Sequence, residues 1–353
     1  MDKFIRRLNF KPGMFHNIYG LIARIDELKG SWKGQTRLSP QMQIRLKKSV
    51  IITSSGASTR IEGANLSDEQ VENLLKGLKI QKLKTRDEQE VAGYAELLSN
   101  IFESYKTIKL SENTIRHIHN ELLKYSEKDT RHRGNYKFTP NRVEAKDPEG
   151  KVIQVLFNPA PPHLAQKYLL DLVEWTNKQL AEKKVHPLLI IAHFIFEFLS
   201  IHPFQDGNGR ASRILTNFLL LQEGYEYIPY VSHEKLIEDN KDKYYIALYK
   251  SQKNWNSDHE DISPWIEFFL TVFLEQTKKA MSLLSEESIE SLLSAKQLLV
   301  WNYLLEHGSA TPKELRNVLK IGAPTILQIL NKLLKLKKIV RLGEGSATKY
   351  KLL

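Results

Sequence analysis

One stretch of the sequence constrains the fold more than any other, because it places glycines and charged residues between two apolar segments. It reads His202-Pro203-Phe204-Gln205-Asp206-Gly207-Asn208-Gly209-Arg210-Ala211-Ser212-Arg213. An apolar run, Pro187 to Leu199, precedes it, and Ile214, Phe218 and Leu221 follow with the spacing of one helical face. The stretch therefore lies in a loop that leads into the first turn of a helix.

Glycines and arginines in this stretch form a pattern suited to an anion. Gly207 and Gly209 let backbone N–H groups face outward because no Cβ stands in the way, and a helix N-terminus adds about half a positive charge. Arg210 and Arg213 lie one helical turn apart and supply charge-assisted donors that suit phosphate oxygens. These four residues predict a phosphate cradle.

Two further residues of the stretch carry chemistry. Asp206 offers a hard carboxylate of the kind that binds Mg²⁺. His202 offers an imidazole, a base that ordinarily titrates near neutral pH. A phosphate cradle, a metal ligand and a base so close together predict a site for transfer chemistry on a nucleotide.

The stretch matches, at every specified position, the signature H-P-F-x-[D/E]-G-N-G-R-x-x-R, so the chain resembles the Fic (filamentation induced by cAMP) proteins. Most of these are adenylyltransferases that move AMP from ATP to a protein hydroxyl. The related Doc kinases carry a lysine at the position of Gly209, so this glycine favours AMP transfer over phosphorylation. The resemblance implies a mainly α fold, with a Fic-type helical core and a short β-hairpin flap.

The resemblance also implies roles for the residues of the stretch. His202 would remove the proton from a Ser, Thr or Tyr hydroxyl of a protein target, which attacks ATP. Asp206 would hold Mg²⁺, and Pro203 and Phe204 would be structural. The expected contacts to ATP are Glu62, Gly207, Asn208, Gly209, Arg210, Ala211, Ser212, Arg213, Tyr244 and Tyr245.

The adjacent tyrosines Tyr244 and Tyr245 have two interpretations. On a helix predicted from about 239 to 252, such a pair is most often a packing feature. Fic proteins commonly place an aromatic or polar pair here over the adenine, and on that resemblance Tyr244, and less strongly Tyr245, are expected to contact the nucleotide.

A second motif lies at the end of a helix predicted from Pro40 to Ile61 and stopped by Gly63. Ser58 and Glu62 are four residues apart and share a face. Taken alone, this is a helix terminus with a solvated glutamate. It resembles the inhibitory [S/T]-x-x-x-E-[G/N] motif of Fic proteins, which implies that Glu62 pairs with Arg213 and obstructs the γ-phosphate of ATP, because a carboxylate competes for the same guanidinium.

The segment from Arg142 to Val155 is extended. Two short β-favouring runs, 142–145 and 151–155, flank the turn signal Asp147-Pro148-Glu149-Gly150. By itself it predicts a surface hairpin. In Fic proteins a hairpin at this place is the flap, which aligns the target segment by strand addition, and the protein substrate is expected to dock there.

The whole chain is expected to form three domains. Residues 1–108 form a helical domain that carries the inhibitory motif, residues 109–277 form the Fic core, and residues 278–353 form the C-terminal part. In the first, one helix spans Phe15 to Leu28 and ends at Gly30, and capping boxes begin at Ser67 and Thr85. In the core, His117 and His119 point in different directions and are interpreted as surface or packing residues.

The C-terminal part is strongly basic. From Lys296 to Leu353 it has 11 Lys or Arg and 3 Glu, which supplies a net +8 of the +11 of the whole chain. Three predicted helices followed by a hairpin resemble a winged helix-turn-helix. DNA is one candidate partner and a protein–protein role is the alternative, since the third helix presents Thr325, Gln328 and Asn331 but little arginine.

Composition and the absence of long apolar runs bear on where the protein is located in the cell. The chain has no cysteine, Met1 to Arg7 leads into no apolar signal core, and no apolar run is long enough to span a bilayer. We therefore expect a cytoplasmic protein without a membrane partner, and a homo-oligomer stays open. Alternative functions are a de-AMPylating hydrolase, a DNA-binding regulator with the Fic core as nucleotide sensor, and transfer of another nucleotide or of phosphocholine.

Overall fold

The computed structural model describes residues 3–34, 38–78, 83–146, 152–285, 293–343 and 348–352. The chain forms two compact units, Met1–Met281 and Ser282–Leu353. The finer division of the first unit at residue 108 stays a prediction. Within the described residues, no helix is both long and apolar enough to cross a membrane.

The first unit is mainly helical, as predicted. Its elements, in chain order, are α1 (Lys3–Arg6), α2 (Pro12–Gly34), α3 (Pro40–Ile61), α4 (Asp68–Gly77), α5 (Arg86–Ser104), α6 (Glu112–Leu122), β1 (Val143–Lys146), β2 (Val152–Phe157), α7 (Pro162–Glu182), α8 (Pro187–Ile201), α9 (Asn208–Gln222), α10 (His233–Asp239), α11 (Lys241–Gln252) and α12 (Ser263–Ser285).

Helix α8 lies at the centre of this unit. Every residue from Leu188 to Ile201 is buried, which is the expected outcome for a helix that is apolar on nearly all sides. It packs against α7 and α9, and α9 in turn contacts α3, α5 and α6. The loop between α8 and α9, which carries the glycine-bearing stretch, is therefore held at the middle of the helical core.

Local sequence signals set several helix ends. Ser67 with Gln70, and Thr85 with Glu88, form the predicted capping boxes at the starts of α4 and α5. Helix α3 has its predicted bounds, and Gly63 beyond its end takes a φ of +103°, a conformation that favours glycine.

The predicted end of α2 at Gly30 is wrong, because the helix continues to Gly34. The indole of Trp32 packs against Tyr227 and Tyr230, with ring centroids 5.6 and 6.0 Å away. A helix-interior glycine costs only about 1 kcal/mol relative to alanine. These tertiary contacts outweigh that local preference.

The predicted hairpin is present as an antiparallel pair, in which Val143 of β1 lies opposite Phe157 of β2. The register is irregular between Val143 and Glu144 and between Ala145 and Lys146. The predicted turn at 147–150 lies outside the described residues.

The second unit contains α13 (Ala295–His307), β3 (Ser309–Ala310), α14 (Pro312–Leu319), α15 (Ala323–Lys335), β4 (Ile339–Leu342) and β5 (Lys349–Leu352). The strands form an antiparallel sheet in the order β3-β5-β4. Three helices and a hairpin are as expected, whereas the short strand β3 was not predicted. The apolar core of the second unit includes Trp301, Leu304, Leu315, Ile326, Leu330 and Ile339.

A buried charge cluster ties the N-terminus to α8. The Arg7 guanidinium donates to Glu197 Oε2 at 2.6 Å and to both carboxylate oxygens of Glu260, at 2.7 and 2.5 Å. Trp255 Nε1 also donates to Glu197 Oε2, at 2.9 Å. All three charged side chains are almost fully buried.

Substitution of Arg7 tests this cluster. Arg7→Met would leave two carboxylates buried without their cation, so we expect the free energy of unfolding to fall by about 3–5 kcal/mol. Arg6→Met is the matched control, since Arg6 pairs with Asp258 at the surface, where the side chains are 47% and 88% exposed, and should cost at most about 1 kcal/mol. Urea unfolding followed by tryptophan fluorescence measures both. Equal losses for the two variants would contradict a stabilising role of the buried cluster.

Candidate active site

His202 ends α8 and turns the chain toward α9. Its backbone is left-handed, with φ 51° and ψ 61°, and its N–H donates to the Phe198 carbonyl at 2.9 Å. The ring Nδ1 lies 3.2 Å from the Leu199 carbonyl oxygen. Because a carbonyl can only accept, this contact favours the tautomer with the proton on Nδ1. The lone pair of Nε2 is then the basic group of the ring.

The surroundings keep this imidazole neutral. Burial is the largest effect and lowers the pKa of His202 to about 4, with help from the charge of Lys137. The Leu199 hydrogen bond and the carboxylates of Glu62 and Asp206 act in the opposite direction. The ring is therefore in its base form throughout the physiological pH range.

The loop after His202 is closed by Asn208. Its Oδ1 accepts from the Phe204 N–H at 3.0 Å, and its Nδ2 donates to the Phe204 carbonyl at 2.8 Å. Both polar atoms of the Asn208 side chain are thus used in hydrogen bonds within the loop. The contact with phosphate that is expected of Asn208 would therefore be made by its backbone N–H. Gly207, the N-cap of α9, has a φ of +76°, which explains the glycine at that position.

His119 supports the same loop from α6. Its Nδ1 accepts from the Gly134 N–H at 3.0 Å, which leaves Nε2–H to donate to the Asp206 carbonyl at 2.9 Å. Its ring stacks on Phe204 with centroids 3.8 Å apart. Burial lowers the pKa of His119 to about 4, so the tautomer persists. Its interpretation as a packing residue fits this burial, but no sequence signal indicated the bond to Asp206.

Arg213 is the most constrained cation of the site. Its Nε donates to Ser58 Oγ at 2.8 Å, and its Nη2 donates to the Ser58 carbonyl at 2.9 Å and to Glu62 Oε1 at 2.7 Å. Burial opposes the charged form, but Glu62 raises the pKa of Arg213 above its ordinary value. The predicted pairing of Glu62 with Arg213 is present, and the two bonds to Ser58 are a further finding of the structure.

Glu62 also covers the start of α9. A Cβ atom added to Gly209 would collide with Glu62 Oε1 and would lie 3.4 Å from Arg213 Nη1. The Nη1 donor is buried and has no hydrogen-bond partner among the residues that the structure describes. Glu62 itself is 36% exposed, against 2% for Arg213. The carboxylate therefore lies at the outer side of the cradle and the guanidinium at its base.

Arg210 and Asp206 belong to a second charged group. Arg210 Nη1 lies 3.0 Å from Glu90 Oε2, and Arg210 Nη2 donates to Asp206 Oδ2 at 3.1 Å. Arg86 bridges the same two carboxylates, donating to Glu90 Oε1 at 2.7 Å and to Asp206 Oδ2 at 2.8 Å. Arg86 and Glu90 were not among the predicted site residues, since nothing in their local sequence sets them apart.

Asp206 fits a role as a single carboxylate ligand. Burial alone would raise its pKa, but Arg210, the Gly207 N–H and Arg86 together lower it, so the group is ionised. Its side chain is 40% exposed. Mg²⁺ is usually held by one or two carboxylates together with substrate phosphates. The described residues contain no cluster of three His, Asp or Glu side chains suited to a metal.

The remaining predicted contacts are internal. Ala211 is fully buried, with its N–H bonded to the Gly207 carbonyl, and Ser212 Oγ donates to the Gly209 carbonyl at 2.7 Å. Tyr244 is buried near Arg213, and burial raises its pKa to about 12. Tyr245 donates its hydroxyl to the Ile61 carbonyl at 3.3 Å, at the end of α3. In this conformation Tyr245 contacts the helix that carries Glu62.

Together these contacts place a neutral histidine base, an ionised carboxylate and two buried guanidiniums around the N-terminus of one helix. The charged donors suit phosphate oxygens, and the histidine suits proton removal from an alcohol. A carboxylate from α3 occupies the charged end of this cradle.

Comparison with known proteins agrees with this geometry. Residues 109–220 match the model of the Fic/DOC family. A probable protein adenylyltransferase of Aquifex aeolicus is 26% identical over 193 residues, which cover 53% of this chain and 55% of that protein. A Fido domain-containing protein of Dictyostelium discoideum is 41% identical over 66 residues, or 19% of this chain and 46% of that protein. The matched regions thus span about half the length of these two relatives.

Solved structures share the fold. The crystal structure of a Fic family protein from Desulfovibrio desulfuricans has a TM-score of 0.64 at 23% identity and covers 98% of this chain and 97% of that one. Fic-1 of Caenorhabditis elegans has a TM-score of 0.62 at 19% identity, covering 78% and 76%. Residues 109–220 are therefore a Fic/DOC domain.

Proposed function

We propose that this chain is a protein adenylyltransferase that transfers AMP from ATP to a Ser, Thr or Tyr hydroxyl of a protein. The observation that carries the proposal is the environment of Arg213, a buried guanidinium that is paired with the Glu62 carboxylate and whose Nη1, near Gly209, has no hydrogen-bond partner in the part of the chain that the structure describes. A phosphate group can satisfy both donors. The names of the relatives as protein adenylyltransferases support the same reaction.

The proposed reaction assigns the chemistry to His202. Its Nε2 accepts the proton of the target hydroxyl while that oxygen forms a bond to the α-phosphorus, and the bond to the bridging oxygen of pyrophosphate breaks. Base assistance of this kind contributes about 10²–10⁴-fold. Backbone N–H groups at the start of α9 stabilise the charge that develops on the α-phosphate. Asp206 would hold Mg²⁺, which would supply charge neutralisation at the phosphates when bound.

We further propose that Glu62 makes the resting protein autoinhibited. Its carboxylate bonds to Arg213 and lies against Gly209, which supports a model in which it competes with a terminal phosphate of ATP. Several contacts fix the end of α3 in this place: Arg60 pairs with Glu238 of α10 and with Asp68, and Tyr245 bonds to the Ile61 carbonyl. Relief of inhibition must move Glu62 away from Arg213.

The protein substrate is assigned to the flap. An antiparallel two-stranded hairpin has free outer edges, and added strands bind through main-chain hydrogen bonds more than through particular side chains. Val155 on β2 is 36% exposed and supplies apolar contact area there. A second copy of this chain is included among the candidate substrates.

For the second unit we propose a winged helix-turn-helix, supported by its three helices and the sheet order β3-β5-β4. The exposed face of α15 lines a shallow groove of about 510 Å³ formed by Pro324, Leu327, Gln328, Asn331, Lys332 and Lys335. Polar and basic residues on this face suit DNA, and the exposed Leu327 suits a protein. DNA therefore remains an alternative partner of this unit.

The first test removes the inhibitory carboxylate and the base in turn. Glu62→Gly frees Arg213, so we expect tighter ATP binding and at least about tenfold more AMP incorporation into protein, since a charged competitor is lost. The double variant Glu62→Gly, His202→Ala should bind ATP with the same affinity as Glu62→Gly alone. It should transfer AMP at least about 10²-fold more slowly. Intact-mass spectrometry after incubation with ATP and Mg²⁺ measures transfer, and calorimetry measures binding.

The alternatives give different products in the same assay. Release of free AMP from an AMPylated protein, lost when Glu62 is replaced, would identify a hydrolase. Adducts of another mass would identify a different transferred group. Unchanged transfer in the His202→Ala double variant would remove His202 as the base.

The contact between Gly209 and Glu62 can be tested by a double-mutant cycle. Gly209→Ala in the parent forces Glu62 off Arg213 and should be destabilising, because the new Cβ collides with the carboxylate. In the Glu62→Gly background the collision is absent, and alanine should be neutral or stabilising by up to about 1 kcal/mol in a helix. We expect a coupling of about 1 kcal/mol or more in the free energy of unfolding. Additive effects would show that Glu62 does not occupy this place in solution.

Arg86 provides a test of the metal assignment. Its Nη2 is one of two guanidinium donors on Asp206 Oδ2, so Arg86→Gln should remove one competing cation, leave Arg210, and lower the Mg²⁺ concentration needed for half-saturation with ADP by about two- to fivefold, the range of an exposed ion pair. Arg24→Gln on the exposed surface of α2 is the control. Calorimetric titration of Mg²⁺ measures the change without turnover. Weaker ADP binding at saturating Mg²⁺ would instead make Arg86 a nucleotide ligand.

A further inference from the structure

One lysine contacts the backbone on both sides of His202. Lys137 Nζ donates to the Ile201 carbonyl at 3.1 Å, and the Lys137 backbone N–H donates to the Pro203 carbonyl at 2.9 Å. The two carbonyls belong to the residues immediately before and after the histidine. Lys137 therefore holds the peptide group that precedes His202 and the peptide group that follows Pro203, so it fixes the backbone on both sides of the histidine.

The residues that follow Lys137 continue this contact. Asn141 Oδ1 accepts from Lys137 Nζ at 2.8 Å, and Asn141 Nδ2 donates to the Phe204 carbonyl at 2.9 Å. Thr139 Oγ1 donates to Gln205 Oε1 at 2.9 Å. We call residues 137–141 the strap, because they run beside residues 201–205 and lead directly into β1 of the flap.

The ammonium group of Lys137 is unusual because it is buried. It is 3% exposed, and burial lowers the pKa of its ammonium to about 8. Among the described residues its hydrogen-bond partners are neutral oxygens, and no carboxylate forms a salt bridge with it. A buried charge without an ion partner is costly, so this lysine is placed here for the carbonyl that it binds.

The end of α8 explains why a cation suits this place. The last carbonyls of a helix lack intrahelical partners and carry partial negative charge. Three of these carbonyls have other donors. Those of Phe198 and Leu199 contact the backbone N–H and the ring Nδ1 of His202, and that of Ser200 accepts from the Ala160 N–H. The fourth, at Ile201, is bonded by Lys137 Nζ.

The conformation of His202 needs such support. A left-handed backbone is unfavourable for a residue with a Cβ and persists only where the surroundings impose it. If the Ile201 and Pro203 peptides relaxed, the bond from His202 Nδ1 to Leu199 would be lost with them. The basic Nε2 would then lose its fixed position.

We propose that Lys137 is a positioning residue, which holds the Ile201 and Pro203 carbonyls before and after His202 so that Nε2 faces the hydroxyl of the target. The proposal rests on the function proposed above. It concerns the turnover of bound substrates and leaves ATP binding to Arg213 and the start of α9, which Lys137 does not contact.

The absence of cysteine allows a direct test, because a cysteine introduced at 137 is unique in the chain. In the Glu62→Gly background, Lys137→Cys should lower kcat for AMP transfer by at least about tenfold, as expected for a misplaced catalytic group, with KM for ATP changed less than twofold. Alkylation with bromoethylamine rebuilds a lysine-like ammonium and should restore most of kcat. An S-propyl adduct of similar length but without charge should not restore it.

Exposed Lys178→Cys, treated in the same ways, is the control and should keep the parental kcat throughout. Equal kcat for the ammonium and propyl adducts at 137 would overturn the proposal. So would a variant in which only KM for ATP rises and kcat stays at the parental value. Circular dichroism of each adduct excludes unfolding, and Lys137→Met serves as a second variant should the cysteine protein not fold.

Nuclear magnetic resonance of His202 decides the matter independently of turnover. With ¹⁵N-labelled histidine, and His202→Gln for assignment, the parent should show one tautomer protonated at Nδ1. Lys137→Met should mix the tautomers and raise the pKa of His202, since one neighbouring positive charge is removed while Glu62 and Asp206 remain. An unchanged ring in Lys137→Met would sink the proposal. If no AMP is transferred by any variant, the proposed function fails, and this titration still reports on Lys137.

Discussion

The structure of the site depends on the need of one buried guanidinium for an anion. Arg213 is almost fully buried, and a buried charge is tolerated only when it is paired and hydrogen-bonded. The protein's own anion is Glu62, supplied from a helix 151 residues earlier in the chain. Glu62 is partly exposed and at a helix end, whereas Arg213 is buried, so in the proposed autoinhibition Glu62 is the partner that leaves. Whatever replaces Glu62 must therefore be an anion that reaches the same donors, and a phosphate meets that requirement.

The scaffold that presents this cation is built around two left-handed residues. His202 ends α8 and Gly207 begins α9, so the chain reverses within a few residues and places the histidine beside the N-terminus of the next helix. Two side chains brace the reversal, Asn208 from within the loop and His119 from α6. Base and cradle are thus parts of one rigid loop, which suits a reaction that needs the attacking oxygen and the phosphorus aligned.

Much of this could be predicted from the sequence, and the remainder could not for a definable reason. The bounds of α3, the capping boxes and the pairing of Glu62 with Arg213 follow from local spacing or from a resemblance carried by motifs. The contacts of Arg86 and His119 with Asp206 join residues 120 and 87 positions apart. Helical periodicity describes neighbours within four residues and carries no information about such pairs. The same limit applies to α2, which continues past Gly30 because of aromatic residues some 200 positions away.

The charges of the closed site explain why removing one carboxylate should matter so much. Three guanidiniums, of Arg86, Arg210 and Arg213, are in contact with three carboxylates, of Glu62, Glu90 and Asp206. The resting site is therefore close to neutral, and it offers a polyanion little net attraction. In the proposed autoinhibition, withdrawal of Glu62 would leave one positive charge uncompensated beside the positive end of α9, in a largely water-excluded place where charges interact strongly. On that proposal, the move of a single side chain would change both the space and the sign of the electrostatic potential that a nucleotide meets.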